Sequence, residues 1–255
     1  MLKMNFQFSP ETLELKELVK KFVRDEVEPL ANKIEEDNAL PPHLVEMAKE
    51  MGLFGLSIPE QYGGLGLDMV SKCAMLEELA KTHNGFTTLI SCHIGIGTVG
   101  IVEFGSEEQK KKYLPKMATG EWIGAFALTE PTAGSNAANL KTTAVRQGDK
   151  YILNGSKHYI TNAHDAHVFT VMAMTDPSKG AKGISSFNVE KGTPGFDIGA
   201  PEKKLGLRGS NSAEIYFENV EIPAENLLGE EETGYINALK ILANGRAGMA
   251  ARCLG

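Results

Sequence analysis

The chain changes period at Trp122, and that change limits the folds open to it more than any single residue does. Before it, apolar residues return every three or four positions. Leu15, Leu18, Val19, Phe22, Val23, Val27, Leu30, Ala31 and Ile34 outline an amphipathic helix across 11–34, with a kink expected at Pro29. A second helix runs from near Pro42 to Gly52, "SIPEQYGGLGLD" reads as a loop, and Asp68 is placed to cap "MVSKCAMLEELAKT". Further helical stretches cover roughly 87–103 and 107–118. From Trp122 on, "WIGAFALT", "KTTAVRQ", "YILNG", "KHYIT", "VFTVMAMT", "GISSFNVE" and "AEIYFENVEI" are short β-branched or aromatic runs separated by Gly, Asn, Asp and Pro. They predict an antiparallel β domain of about seven strands, and "GDKYILNGSK" carries turn signals on both sides of a short strand. Past Pro223, "TGYINALKILANGRAGMAARCLG" returns to helical spacing. The fold class expected is α+β multidomain: a helical domain over 1–121, a β domain over 122–229, and the start of a second helical domain over 230–255.

Charge and cysteine content narrow the function classes. With 26 basic and 33 acidic residues, a net charge of −7, neither nucleic acid nor an anionic membrane is the expected partner. Cys73, Cys92 and Cys253 are scattered, with no C-x-x-C pair, so neither a disulfide framework nor a zinc site is indicated and a reducing compartment fits. The opening "MLKMNFQFSPETLELKEL" soon turns charged and amphipathic, showing no secretion or transit segment, and no apolar run is read as a membrane span.

Two motifs compete for a nucleotide. Gly95, Gly97 and Gly100 in "SCHIGIGTVGIVEFG" match G-x-G-x-x-G, but the strand and acidic residue that should follow are missing, so packed helix is the preferred reading. "FALTEPTAGSNAANLKTTA" is more informative: it leaves a strand at Thr129 and presents Thr132, Ala133, Gly134, Ser135 and Asn136 as small residues. Backbone N–H groups and hydroxyls can approach a polar ring or an anion closely there, although an ordinary bulge loop would read the same way. His164 and His167 flank Asp165 without a third metal ligand nearby, "EEQKKKY" reads as a solvated helix face, and Trp122 reads as packing.

The run Leu128, Thr129, Glu130, Pro131, Thr132, Ala133, Gly134, Ser135, Asn136 resembles the first signature of the acyl-CoA dehydrogenases. "IPEQYGGLGLD", "NGSKHYITNA", "KLGLRGSNSAEIYFENVEIPAENLLG" and "NGRAGMAARCLG" resemble further landmarks of that family, in the same order. The resemblance implies FAD as cofactor, an acyl-CoA substrate, an electron-transfer flavoprotein as partner and a homo-oligomer, tetrameric in complete members. It assigns Phe126, Leu128 and Thr129 to the polar edge of the flavin ring, and Tyr159, Ile160 and Thr161 to its face and N5/O4 side. Ser135 is shared between cofactor and CoA, and Asn244, Gly245 and Arg246 fall on the substrate side. Location follows as cytoplasmic in a bacterium, or the mitochondrial matrix in a eukaryote.

The same comparison marks departures. Asn136 stands where the family usually has aspartate, Tyr159 where it has tryptophan, and Ala243 where an aspartate often precedes the arginine by three. Gly245 occupies the position at which some members carry the catalytic glutamate, so the base is expected beyond Gly255. Glu130 is read as structural, and the acidic run Glu230 to Glu232 as a domain connection. The implied reaction is α,β-dehydrogenation of an acyl thioester to a trans-2-enoyl-CoA, with short-chain substrates favoured and this 255-residue chain inactive alone. An acyl-CoA oxidase or flavin monooxygenase of the same architecture and a non-catalytic binding homologue are the alternatives. Ile236, Leu239, Ile241, Leu242 and Met249 are expected to form an exposed apolar face on the last helix.

Overall fold

The computed structural model describes residues 7–255; residues 1–6, the start of the segment read above as free of a targeting signal, lie outside them. The first helical stretch is one kinked rod. α1 (Pro10–Phe22) is capped by Ser9, whose side chain accepts from the Thr12 N–H at 3.2 Å. A π-turn (Val23–Val27) and a 3-10 turn (Glu28–Leu30) then lead into α2 (Ala31–Asp37). The ladder changes pitch here because Pro29 has no N–H to donate. α3 (Pro42–Glu50) ends at left-handed Gly52, and α4 (Met69–Leu79) starts at Asp68, which accepts from Ser71 N–H at 2.7 Å, as the spacing predicts.

The glycine motif is helical. α5 (Asn84–Cys92), a π-turn (His93–Gly97) and α6 (Val99–Phe104) form a bulged helix, followed by α7 (Glu107–Ala118), which opens with a Ser106/Gln109 capping box. Over Asn84–Phe104 this 21-residue helix is long and apolar enough to cross a membrane by length and composition, yet 78% of its most apolar window is buried inside the protein. It is a core helix. Gly97 lies against Gly124 backbone to backbone: a Cβ on Gly97 would meet the Gly124 carbonyl oxygen at 2.4 Å, and one on Gly124 would meet that of Gly97 at 2.6 Å. A side chain at either position would push the helix off the sheet.

The seven strands are β1 (Ile123–Ala127), β2 (Thr143–Gln147), β3 (Lys150–Thr161), β4 (Ala166–Met174), β5 (Ile184–Glu190), β6 (Phe196–Pro201) and β7 (Ser212–Pro223). Pairings β2–β3, β3–β7, β4–β5 and β6–β7 are antiparallel. The sheet departs from an all-antiparallel plan where β1 pairs with β4 in parallel, and where Thr143 of β2 bridges Met174 in parallel further along. Both strands thus share β4, so the chain must leave the sheet after β1 and re-enter it as β2. "YILNG" and "KHYIT" form one strand, not two. Gly155, at φ 141°, is a bulge inside it rather than a turn, and a Cβ there would meet the Thr142 Cα at 2.6 Å. β6 was not expected, because its Gly and Pro argue against a strand; it pairs with β7 alone, a position where proline is tolerated.

α8 (Gly234–Leu254) packs on the helical layer. Ile236, Leu239 and Met249 are exposed as the periodicity predicts, but Leu242 is only partly exposed and Ile241 is fully buried with Ala238, Phe126 and Met172. Gly100 makes this possible, since its missing Cβ leaves room for Ile241 and Leu228.

His93 ties the layers together inside this core. Its Nδ1 accepts from the Gly124 N–H at 3.0 Å, so Nε2 carries the proton and donates to the Met117 carbonyl at 3.0 Å. Burial pushes its pKa down to about 4, from an ordinary value of 6.5. Between those values the unfolded chain binds more protons, so His93 contributes stability that is complete above pH 6.5 and lost as pH falls towards 4. The loss is about 3 kcal/mol at most. Urea unfolding at pH 7 and pH 4.5 should therefore show a smaller stability loss in His93→Gln than in the wild type; equal losses would remove His93 as the responsible group.

Candidate functional site

The excursion between β1 and β2, residues 128–142, is closed at its base by one side chain. Glu130 is buried, and its carboxylate accepts from Lys141 N–H at 2.6 Å and Thr142 N–H at 3.0 Å. It also pairs with Lys157 Nζ at 2.8 Å, both side chains being essentially inaccessible. Lys157 donates a second bond to the Leu128 carbonyl at 3.2 Å, and the His158 N–H donates to the Thr129 carbonyl at 2.8 Å. One ion pair therefore joins both ends of the loop to β3. Burial by itself would raise the Glu130 pKa, but Lys157 and the N–H donors hold it below the ordinary carboxylate value. Burial pushes Lys157 down to about 8 against the opposing pull of Glu130. Both carboxylate oxygens are engaged, which leaves Glu130 a structural clamp and not a base.

Above the clamp lies a cleft of about 420 Å³. Phe126, Leu128, Thr129, Ser135, Tyr159, Ile160, Thr161 and Arg246, drawn from three separate stretches of sequence, all line it. Thr129 leaves β1, Ser135 sits on the exposed loop, and Tyr159, Ile160 and Thr161 end β3. Tyr159 is held at φ 56°, in a second bulge between Lys157 and Ile160, and is 64% exposed. A bulky residue in the left-handed region is strained, and such strain persists where surrounding structure enforces it. Here it turns the ring out of the core and against His158, edge to face at 3.8 Å between centroids. Among the described residues, no hydrogen bond or ion pair engages the side chains of Thr129, Ser135, Thr161 or Arg246. The cleft thus gathers polar groups without protein partners.

Asn244 and Gly245 fall elsewhere. They line an adjoining slot of about 270 Å³ between α4, the bulged helix and α8, together with Gly95, Leu76, Gly248 and Met249. Cys92, Ile96, Leu242 and Arg246 border both cleft and slot. A Cβ on Gly95 would meet nothing within 4 Å, so this glycine opens the slot instead of binding a nucleotide. Among the described residues, no carboxylate lines either space. A larger groove of about 540 Å³, lined by Asn38, Leu40, Asp165, His167 and Asn211 among others, lies apart from these residues. There His167 Nδ1 accepts from the Ile123 N–H at 3.2 Å, a structural contact. His164 and Asp165 sit in the turn before β4, and no group of three metal-ligating side chains forms among the described residues.

With this arrangement in view, likeness to known proteins is specific. Residues 9–121 match the acyl-CoA dehydrogenase N-terminal domain and residues 125–220 the acyl-CoA dehydrogenase middle domain. A short-chain-specific acyl-CoA dehydrogenase of Clostridium acetobutylicum is 42% identical over 252 residues, which cover 99% of this chain and 66% of that protein. A chain in the solved structure of the electron transferring flavoprotein of Acidaminococcus fermentans is 42% identical with a TM-score of 0.94, the match covering 98% of this chain and 66% of that one. An acyl-CoA dehydrogenase from Bacillus anthracis, complexed with FAD, is 40% identical with a TM-score of 0.88, over 96% of this chain and 42% of that one. The chain is a member of the acyl-CoA dehydrogenase family and spans about two thirds of the length of the curated relatives it matches.

Several residues at or beneath the cleft were not read from the sequence as part of a site. Tyr235 and Leu239 come from α8, Cys92 and Ile96 from the bulged helix, and Lys157 lies beneath the cleft. Lys157 did leave a signal, as a charge at an inward position of a strand that otherwise buries Tyr151, Leu153 and Ile160. Removing one partner of such a pair leaves the other buried and unpaired, at a cost of about 3–5 kcal/mol. Glu130→Ala should lower stability by about that much and speed proteolytic cleavage within 131–141, whereas Glu130→Gln with Lys157→Met should recover most of the loss. Equal stability of the single and double variants, measured by urea unfolding, would show that the pair does not act as the clamp.

Proposed function

We propose that this chain forms the FAD- and acyl-CoA-binding part of an acyl-CoA dehydrogenase that oxidises a short acyl thioester to its trans-2-enoyl form and passes electrons to an electron-transfer flavoprotein. The observation that carries this reading is the convergence of Thr129, Ser135, Thr161 and Arg246 on one cleft, with no protein partner for their side chains. A planar polar ring fits these residues. Gly134 faces open space, so backbone groups can come close, and exposed Tyr159 offers an aromatic face.

The chemistry FAD supplies when bound is acceptance of a hydride from the acyl β-carbon. In this reading the Thr129 and Thr161 hydroxyls donate hydrogen bonds to the ring's polar edge and stabilise the negative charge of its reduced form. Phe126, Leu128 and Ile160 shield the cleft from water, and Ser135 and Arg246 face the CoA portion. The adjoining slot, with Asn244 and Gly245 in its wall, takes the acyl chain. Because no carboxylate of the described residues lines cleft or slot, the α-proton is taken in this reading by a group outside these walls. Support for the short-chain and electron-transfer-flavoprotein elements comes from the relatives from Clostridium acetobutylicum and Acidaminococcus fermentans. The homo-oligomer is part of the same reading.

Thr161→Val in the FAD-loaded protein should lower the flavin reduction potential by about 30–60 mV, the equivalent of one hydrogen bond to a charged form. An unchanged potential with FAD fully bound would remove Thr161 from the site. Tyr159→Ala should weaken FAD binding while leaving the apoprotein melting temperature close to wild type; early melting with normal FAD affinity would place the ring in the core. The 255-residue chain should show no α-proton exchange of butyryl-CoA in deuterated buffer, and exchange at an enzymatic rate would place the base within it.

A further inference from the structure

The slot beside the cleft is apolar along Leu76, Ile96, Leu242 and Met249, and small at Gly95 and Gly248. Its polar groups are all cations or neutral. Lys72 of α4 is only 3% exposed, and its Nζ donates to Asn244 Oδ1 at 2.6 Å. Arg252 of α8 donates from Nη1 to Ser91 Oγ at 2.8 Å, and from Nη2 to Thr88 Oγ1 at 2.9 Å and Asn84 Oδ1 at 3.3 Å. Its Nε is buried and has no partner. No carboxylate lies within ion-pair reach of Lys72, Arg246 or Arg252 among the described residues. Cys73 interacts electrostatically with Lys72, and Cys92 and Cys253 with Arg252.

Lys72 is buried and Arg252 half-buried, whereas Arg246 is exposed; a cation taken out of water is ordinarily neutralised by a carboxylate, because neutral hydrogen-bond partners compensate desolvation only in part. Burial accordingly holds the Lys72 ammonium below its usual pKa. An alkyl chain filling the slot would strip the remaining water from these cations and return nothing to them. A chain ending in a carboxylate would supply the missing counter-charge to Lys72 and Arg252. Arg246 borders the cleft, and Arg252 lies six residues further along α8, about 9 Å at helical rise. One acyl chain can therefore run from the mouth of the slot to the second arginine.

Resting on the acyl-CoA reading above, we propose that the slot selects acyl thioesters carrying a carboxylate at the far end of the acyl chain, with Lys72 and Arg252 as the residues that set this specificity. Calorimetric titration of the full chain, free of FAD so that no turnover occurs, with adipoyl-CoA and with hexanoyl-CoA tests it. These ligands share a six-carbon chain and differ in the distal carboxylate. Adipoyl-CoA should bind at least ten-fold more tightly, as expected for charge-assisted hydrogen bonds in a sheltered site. That preference should collapse towards unity in Arg252→Gln and in Lys72→Met, and should persist in Arg252→Lys; thermal melting of each variant reports that it is folded. Hexanoyl-CoA binding as tightly as adipoyl-CoA would overturn the specificity while leaving the acyl-CoA reading intact. A preference unchanged in both charge-removing variants would overturn the assignment to these two residues. Failure of both thioesters to bind would overturn the parent reading and this inference together.

Discussion

The cleft exists because Glu130 and Lys157 meet where no water reaches them. A chain that must leave β4 after β1 and return to it as β2 has fifteen residues, 128–142, to dispose of outside the sheet. Left to itself such an excursion would sample many shapes, at an entropic cost to any ligand that needed one of them. The Glu130 carboxylate removes that freedom at the base by binding the N–H groups of Lys141 and Thr142. Lys157 anchors the arrangement to β3 and to the Leu128 carbonyl. The tip around Gly134 and Ser135 is exposed, while Ala133 and Leu140 are buried against the fold. The pair is thus a positioning device, and its own stabilisation is offset in part by the desolvation of both charges.

A second constraint brings the helices to that loop. Gly97 and Gly124 touch through their backbones, His93 bonds across the same junction, and Gly100 admits Ile241 of α8. Together these contacts set the bulged helix and α8 against β1, so that Ile96, Leu242 and Arg246 border the cleft on one side and the slot on the other. The glycine spacing that resembles a nucleotide turn is in fact the means of this close packing. Gly95, in the same motif, opens the slot.

Much of this was legible in the sequence, for identifiable reasons. The change of period at Trp122 is a local property of consecutive side chains, so helices and strands could be told apart. The cleft residues Phe126, Leu128, Thr129 and Ser135 are close in sequence, and their motif could be matched as one run. The strand plan was harder to read. Asn154-Gly155 looks like a hairpin turn, and only the approach of Thr142 shows that Gly155 serves as a bulge. The parallel pairing of β1 with β4 leaves no local trace, and neither does the strained backbone at Tyr159. The slot was least legible of all, since Lys72, Ser91 and Arg252 come from segments far apart in the chain, and their relation depends on how the helices pack. Burial of Ile241 escaped the helical periodicity for a related reason: its partner surface is created by the absence of a side chain at Gly100.

The central claim is that the clamped loop and the end of β3 together receive the flavin ring. Crystals of the protein grown or soaked with FAD test it most directly. The expected result is density for the isoalloxazine against Tyr159, with the Thr129 and Thr161 hydroxyls within hydrogen-bond distance and the Glu130–Lys157 pair unchanged. Flavin bound instead in the larger groove lined by Asn38, Asp165 and Asn211, with the cleft empty, would contradict it.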